Sequence, residues 1–132
     1  MTQRGSAAIE LALGIGLLVL PAVIVVLAFS PWLEARAFVR TAAAEAARAA
    51  VLADGVPAGT GEAVVAPMAR ARGYDASVVM CGGNQCSLDR GAYITAEVTV
   101  HVPLIDTPWG GIGGLAVTAF HAEPVDVYRS LP

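Results

Sequence analysis

The sequence predicts an α+β protein: a long N-terminal transmembrane and extended helix, followed by a small antiparallel sheet of about three strands. Three observations lead there. Leu11 to Leu33 holds no charged residue, and a helix across a hydrocarbon core of ~30 Å takes about 20 apolar residues. The stretch beyond it is dense in alanine, the strongest helix former (Ala42-Ala43-Ala44, Ala46-Ala47, Ala49-Ala50). From Tyr93 to Val102 the side chains alternate. Ile94, Ala96, Val98, Val100 and Val102 share one side, and Tyr93, Thr95, Glu97, Thr99 and His101 the other. That is the period of two of a half-buried antiparallel strand.

Composition agrees with one anchor plus one small domain. The 132 residues are 56% hydrophobic and 14% charged, against about 25% charged in ordinary soluble domains. The shortfall is local to the apolar run. The net charge is -3, and all eight basic residues are arginines scattered along the chain. No basic run with interleaved aromatics occurs, so nucleic acid is not an expected partner.

Taken in order, residues 1–5 are a short polar leader with one arginine, and residues 6–30 form the membrane helix. Pro21 is expected to bend it, because proline removes a backbone donor and crowds the preceding turn. Gly14 and Gly16 are tolerated in membrane helices and allow close helix approach. Ser30-Pro31 reads as a break and restart, with serine as cap and proline at the first helical position. Trp32 then marks the membrane–water boundary. Residues 31–54 form the Ala/Arg-rich extension, ended at Asp54-Gly55. Helix from Ser6 to Ala53 would measure ~70 Å at 1.5 Å per residue. An ordinary secretory signal is the lesser reading. The apolar stretch exceeds the usual ~7–15-residue signal core, and Ala28-Phe29-Ser30 matches the small-residue cleavage pattern poorly.

Residues 55–132 make the outer domain. Val56 to Gly61 reads as a Pro/Gly loop, and Glu62 to Arg72 as a short helix interrupted by Pro67 and ended by Gly73. Ser77 to Met80 reads as a strand and Cys81 to Cys86 as a turn. After the clear strand, Asp106 to Gly114 is a glycine-rich loop around Trp109, and Leu115 to Glu123 a last strand with weaker alternation. A helix layered on about three strands is the result.

Glu10 is the most informative single residue. An acid at the edge of an apolar helix costs a few kcal/mol unless it is paired or near the interface. Two readings stand: a shallow carboxylate reaching headgroup water at a helix start, where the dipole favours it, or a residue kept for pairing. Its context bears on the choice. Arg4 and Gly5 precede it, Gly5 stands five residues before it, and the apolar run begins at once.

The segment Gly5-Ser6-Ala7-Ala8-Ile9-Glu10-Leu11 resembles the leader motif of the pilin superfamily. With Arg4 ahead of it and the Ala/Arg segment Glu34 to Leu52 behind, it resembles more closely the TadE-like branch of the tight-adherence (type IVb/Flp) pilus system. The resemblance covers about the first 50 residues. It implies a leader peptidase cutting between Gly5 and Ser6, an amine on Ser6, and Glu10 pairing with the N-terminal amine of a neighbouring subunit. The expected partners are the membrane, other pilin or pseudopilin subunits and the pilus assembly platform. The chain would pass the cell membrane once, N-terminus cytoplasmic and C-terminal domain extracytoplasmic. Charge counting alone does not give that orientation, since Arg36, Arg40 and Arg48 flank the far side. Two features depart from the family. Phe29-Ser-Pro-Trp32 closes the span where aromatic or acidic residues are usual, and the mature chain would start with Ser6 rather than Phe or Met. The second favours a minor, pseudopilin-like subunit over a major pilin. A pseudopilin of a type II secretion or DNA-uptake machine would share leader and helix. An uncleaved, membrane-tethered envelope binding domain would keep residues 1–5.

Cys81 and Cys86 enclose four residues, two of them glycine. This suits a disulfide in an exported domain, with free thiols as the alternative. The thioredoxin-like redox motif needs two intervening residues. His101 and His121 fall on two expected strands with no third ligand at a recognisable spacing, so they read as polar-face histidines and no metal site is expected. Gly110 to Gly114 lacks the strand–turn–helix setting and the lysine of a phosphate loop. No Ser/His/Asp arrangement stands out. No catalysis and no cofactor are expected.

Overall fold

One helix, α1 (Ser6–Leu52), supplies both the apolar segment and the wall of the domain. The computed structural model describes residues 6–53, 57–103, 105–107 and 109–128. After α1 come α2 (Ala58–Arg70), β1 (Ala76–Met80), β2 (Tyr93–Val102), β3 (Ile105–Thr107), β4 (Gly110–Ile112) and β5 (Leu115–Pro124). The arrangement is α+β, a long N-terminal helix against a three-stranded antiparallel sheet in the order β1-β2-β5.

The core lies between the second half of α1 and one face of that sheet. Ala35, Phe38, Val39, Ala42, Ala43, Ala46, Ala47 and Ala50 are each at most 1% exposed. Their spacing of three and four residues makes one continuous helical stripe. Arg36, Arg40, Thr41 and Arg48 are exposed. From the sheet, Ile94, Ala96, Val98, Val100 and Val102 of β2 and Val117 of β5 meet the stripe, so the alternation expected for β2 is the observed one. Alanine fills most of the helix side. With so little side chain between them, the backbones of α1 and its neighbours approach closely.

The expected break at Ser30-Pro31 is corrected, because α1 runs through both Pro21 and Pro31 as one helix of 47 residues. A proline removes one backbone bond. The remaining backbone bonds continue the helix past each one. The cap expected at Asp54-Gly55 lies outside the described residues.

The helix α2 starts earlier than the expected Pro/Gly loop allowed. Pro57 is its N-cap, and Gly59, Gly61 and Pro67 all lie within it. Gly61 is held there by contact rather than propensity. A Cβ at that position would stand 2.6 Å from the Met80 sulfur and 3.5 Å from the Ala46 Cβ. Its bare backbone lets α2 cross α1 beside the end of β1. The far end of α2 closes at Gly73, as expected. With φ at +71°, Gly73 donates its N–H to the Arg70 carbonyl at 3.1 Å, and Tyr74 donates to the Ala69 carbonyl at 2.9 Å. This is the paired bonding of a glycine-ended helix.

The glycine-rich loop at 106–114 is also corrected. It contains a two-stranded antiparallel ribbon, in which Thr107 pairs with Gly110 and Ile105 with Ile112. Trp109 stands in its turn, 94% exposed.

Candidate functional site

The first half of α1 has no core to pack against. Its most apolar window has a mean hydropathy of 2.9, and none of that window is buried. Leu11, Leu17, Leu18 and Val26 are each at least 66% exposed. A helix apolar on every side is one that sits in lipid or inside a larger protein. This one is long and apolar enough to cross a membrane.

Ser6 is the first helical residue, and Gly5 lies outside the described residues. Glu10 follows Ser6 by four residues, about 6 Å along the axis, on the exposed surface of the helix. Near it, Ile9, Ala12, Leu13, Gly16, Leu17, Leu20 and Pro21 share an open apolar face of the helix. Glu10 precedes Leu13 by three residues and Leu17 by seven, which sets it at the edge of that face. The small residues Ala12 and Gly16 lie toward its other edge and would admit a second helix closely.

Trp32 ends the exposed apolar stretch. Its ring meets Phe29 edge-on with centroids 6.3 Å apart, and the Arg36 guanidinium lies 5.3 Å from its centroid. An indole between an apolar helix and an arginine suits a membrane–water boundary.

The sheet lies along α1 with two distinct ends. Near the apolar half, Phe38 packs on Tyr74, with ring centroids 5.1 Å apart. Tyr74 leads into β1, whose first residue Ala76 pairs with Val100. Val102, the β3–β4 ribbon and Leu115 are therefore at this near end. At the far end, Met80 meets Gly61, and Met80 runs into the disulfide.

Cys81 and Cys86 are bonded, with Cα atoms 5.4 Å apart. Cys81 has φ at +52° and the two glycines after it are also positive. Three left-handed residues in a row fold the chain back at once, and glycine is the residue that adopts this without strain. The bridge thus closes the exit of β1 at the end of the sheet remote from the apolar helix.

Comparison with protein-family models, with curated proteins and with solved structures found no match for this chain.

The two histidines are not neighbours on one polar face. His101 pairs across with Ala116, whereas His121 pairs with Ala96, which is buried against α1. His121 is thus on the helix side of β5, half-exposed at the sheet edge, with its Nε2 3.1 Å from Glu123 Oε2. Two features had no signal in the sequence. One is a pocket of about 430 Å³ lined by Glu34, Ala37, Phe38, Thr41, Arg72 and Tyr74. The other is the exposed Trp109 at the near end of the sheet. Both depend on chain segments brought together only by the fold.

Proposed function

We propose that this chain is a TadE-like minor pilin or pseudopilin that takes part in assembling a tight-adherence (type IVb/Flp) pilus and performs no catalysis. In this reading a leader peptidase removes residues 1–5, α1 anchors the chain by a single pass, and the Glu10 carboxylate pairs with the N-terminal amine of a neighbouring subunit. The observation that carries the reading is the division of α1. Its first half is apolar and exposed on every side, with one acid at its start. Its second half is the buried spine of a small domain.

The physics favours assembly at the first half. A carboxylate in low dielectric gains most from an opposite charge held close to it, so an acid beside an apolar face favours the register that brings it an amine. In the same reading the N-terminus faces the cytoplasm and the domain lies outside. The Cys81–Cys86 bridge supports this, since disulfides persist on the oxidising side of a membrane. Deleting the chain from cells that carry the remaining pilus components tests the role. Piliation should fall and return on complementation, and undiminished surface pili in the deletion strain would reject it.

A further inference from the structure

We propose that the pocket between α1 and the α2–β1 turn binds a phospholipid headgroup bearing both a phosphate and an ammonium, as in phosphatidylethanolamine. The proposal rests on the reading of Leu11–Leu33 as a membrane span.

The position of the pocket comes first. Glu34 and Phe38 follow the boundary residue Trp32 by two and six residues, or about 3 Å and 9 Å along the helix. The headgroup layer is about 5–7 Å deep on each side of the hydrocarbon. The Glu34 edge of the pocket therefore stands at the level of the lipid headgroups, and its Phe38 and Thr41 side reaches beyond them. The ribbon tip Trp109, 94% exposed, leaves the sheet at this same end, and exposed tryptophans favour that layer.

The chemistry of the walls comes second. Among the described residues the close acid–base pairs are Arg48 with Glu45 and His121 with Glu123, so Glu34 and Arg72 form no ion pair there with each other or with another described side chain. The Arg72 guanidinium lies over the Phe38 ring at 5.2 Å. A guanidinium held against a ring still has N–H groups with which to grip a phosphate. Glu34 is a pure acceptor and suits a primary ammonium, which has three donors. Tyr74, half-buried beside them, supplies an aromatic wall that tolerates a cation and the ethanolamine carbons. An anionic headgroup without an ammonium would satisfy Arg72 and oppose Glu34. A quaternary ammonium would offer Glu34 no hydrogen-bond donor. The pocket volume of about 430 Å³ falls in the range of small-ligand sites, about 300–1,000 Å³.

Native mass spectrometry of the full chain with equimolar phosphatidylethanolamine, phosphatidylcholine and phosphatidylglycerol tests the site. The wild type should retain phosphatidylethanolamine above the other two. Arg72→Gln should lower that retention about tenfold, as expected for a charge-assisted contact, and Arg72→Lys should restore part of it. Glu34→Gln should abolish the preference for phosphatidylethanolamine over phosphatidylglycerol. Equal retention of all three lipids by the wild type, or no change in Arg72→Gln, overturns the proposal. Glycerophosphoethanolamine is the soluble arm. Binding as tight as that of the lipid would assign the site to a solute and overturn the lipid assignment. Carbonate washing of the source membranes separates the two readings. A chain released by carbonate sinks the span, whereas a retained chain with no Arg72 effect sinks the headgroup site alone.

Discussion

Phe38 and Tyr74 pack with ring centroids 5.1 Å apart and planes tilted by 43°, and this contact fixes where the domain begins relative to the apolar half of α1. Phe38 is 1% exposed, and Tyr74 donates the backbone bond that closes α2. Helix, turn and first strand are joined at this one place. Phe38→Ala should therefore destabilise the domain by about 3–5 kcal/mol, the usual cost of emptying a buried aromatic site. Denaturant unfolding of the detergent-solubilised chain, followed by circular dichroism, measures it. A loss below ~1 kcal/mol would show that the contact does not hold the domain to the helix.

Ala46 probes the closeness of the layers. It is fully buried and lies within van der Waals reach of a Cβ placed at Gly61. Ala46→Leu adds bulk where α2 crosses α1 and should cost about 1–3 kcal/mol. Arg40→Ala, on the exposed side of the same helix, should stay within about 0.5 kcal/mol. Equal effects in the same unfolding assay would contradict the stripe.

The Cys81–Cys86 bridge closes a ring of six residues. By loop entropy alone such a ring stabilises by about 2 kcal/mol. A reduced and alkylated sample should unfold at correspondingly lower denaturant than the oxidised one. Peptide mapping without reductant should find the two cysteines linked within one chain. Free thiols in protein isolated under alkylating conditions would also count against an extracytoplasmic domain.

Glu10→Gln keeps the shape of the side chain and removes its charge. Glu10 precedes the buried stripe, which begins at Ala35, by 25 residues, or about 37 Å of helix. Domain folding should not sense the change, and insertion tolerates a more apolar segment. Membrane levels and leader cleavage should stay normal, while crosslinking to other subunits and piliation should fall. Wild-type piliation in this variant would return Glu10 to the role of a shallow interfacial carboxylate.

Where one local pattern settled an element, the sequence was enough to read it. β2 alternates without exception, and its bounds and buried face are as expected. The apolar run and the alanine-dense segment each specify helix. The continuity of α1 at Pro31 was not legible, since a serine–proline pair is also a good helix start. Gly59, Gly61 and Pro67 argue against a helix one by one, and α2 forms over them because Gly61 must pass Met80 and Ala46 closely. The β3–β4 ribbon was hidden by its glycines, which carry little strand signal. His121 was assigned to the wrong side because the alternation of β5 is weak, and only its register against β2 places it opposite Ala96. The pocket of Glu34 and Arg72 joins residues 38 positions apart, and no motif spans that distance.

If the chain is the processed, membrane-anchored pseudopilin proposed above, its mature N-terminus is Ser6. Intact-mass analysis of the membrane-extracted chain from cells with their own leader peptidase should show loss of residues 1–5 and a first residue of Ser6. Gly5→Leu, which crowds the backbone at the cut, should leave the chain unprocessed. A mature chain that begins at Met1, or after Ser30, would contradict the account.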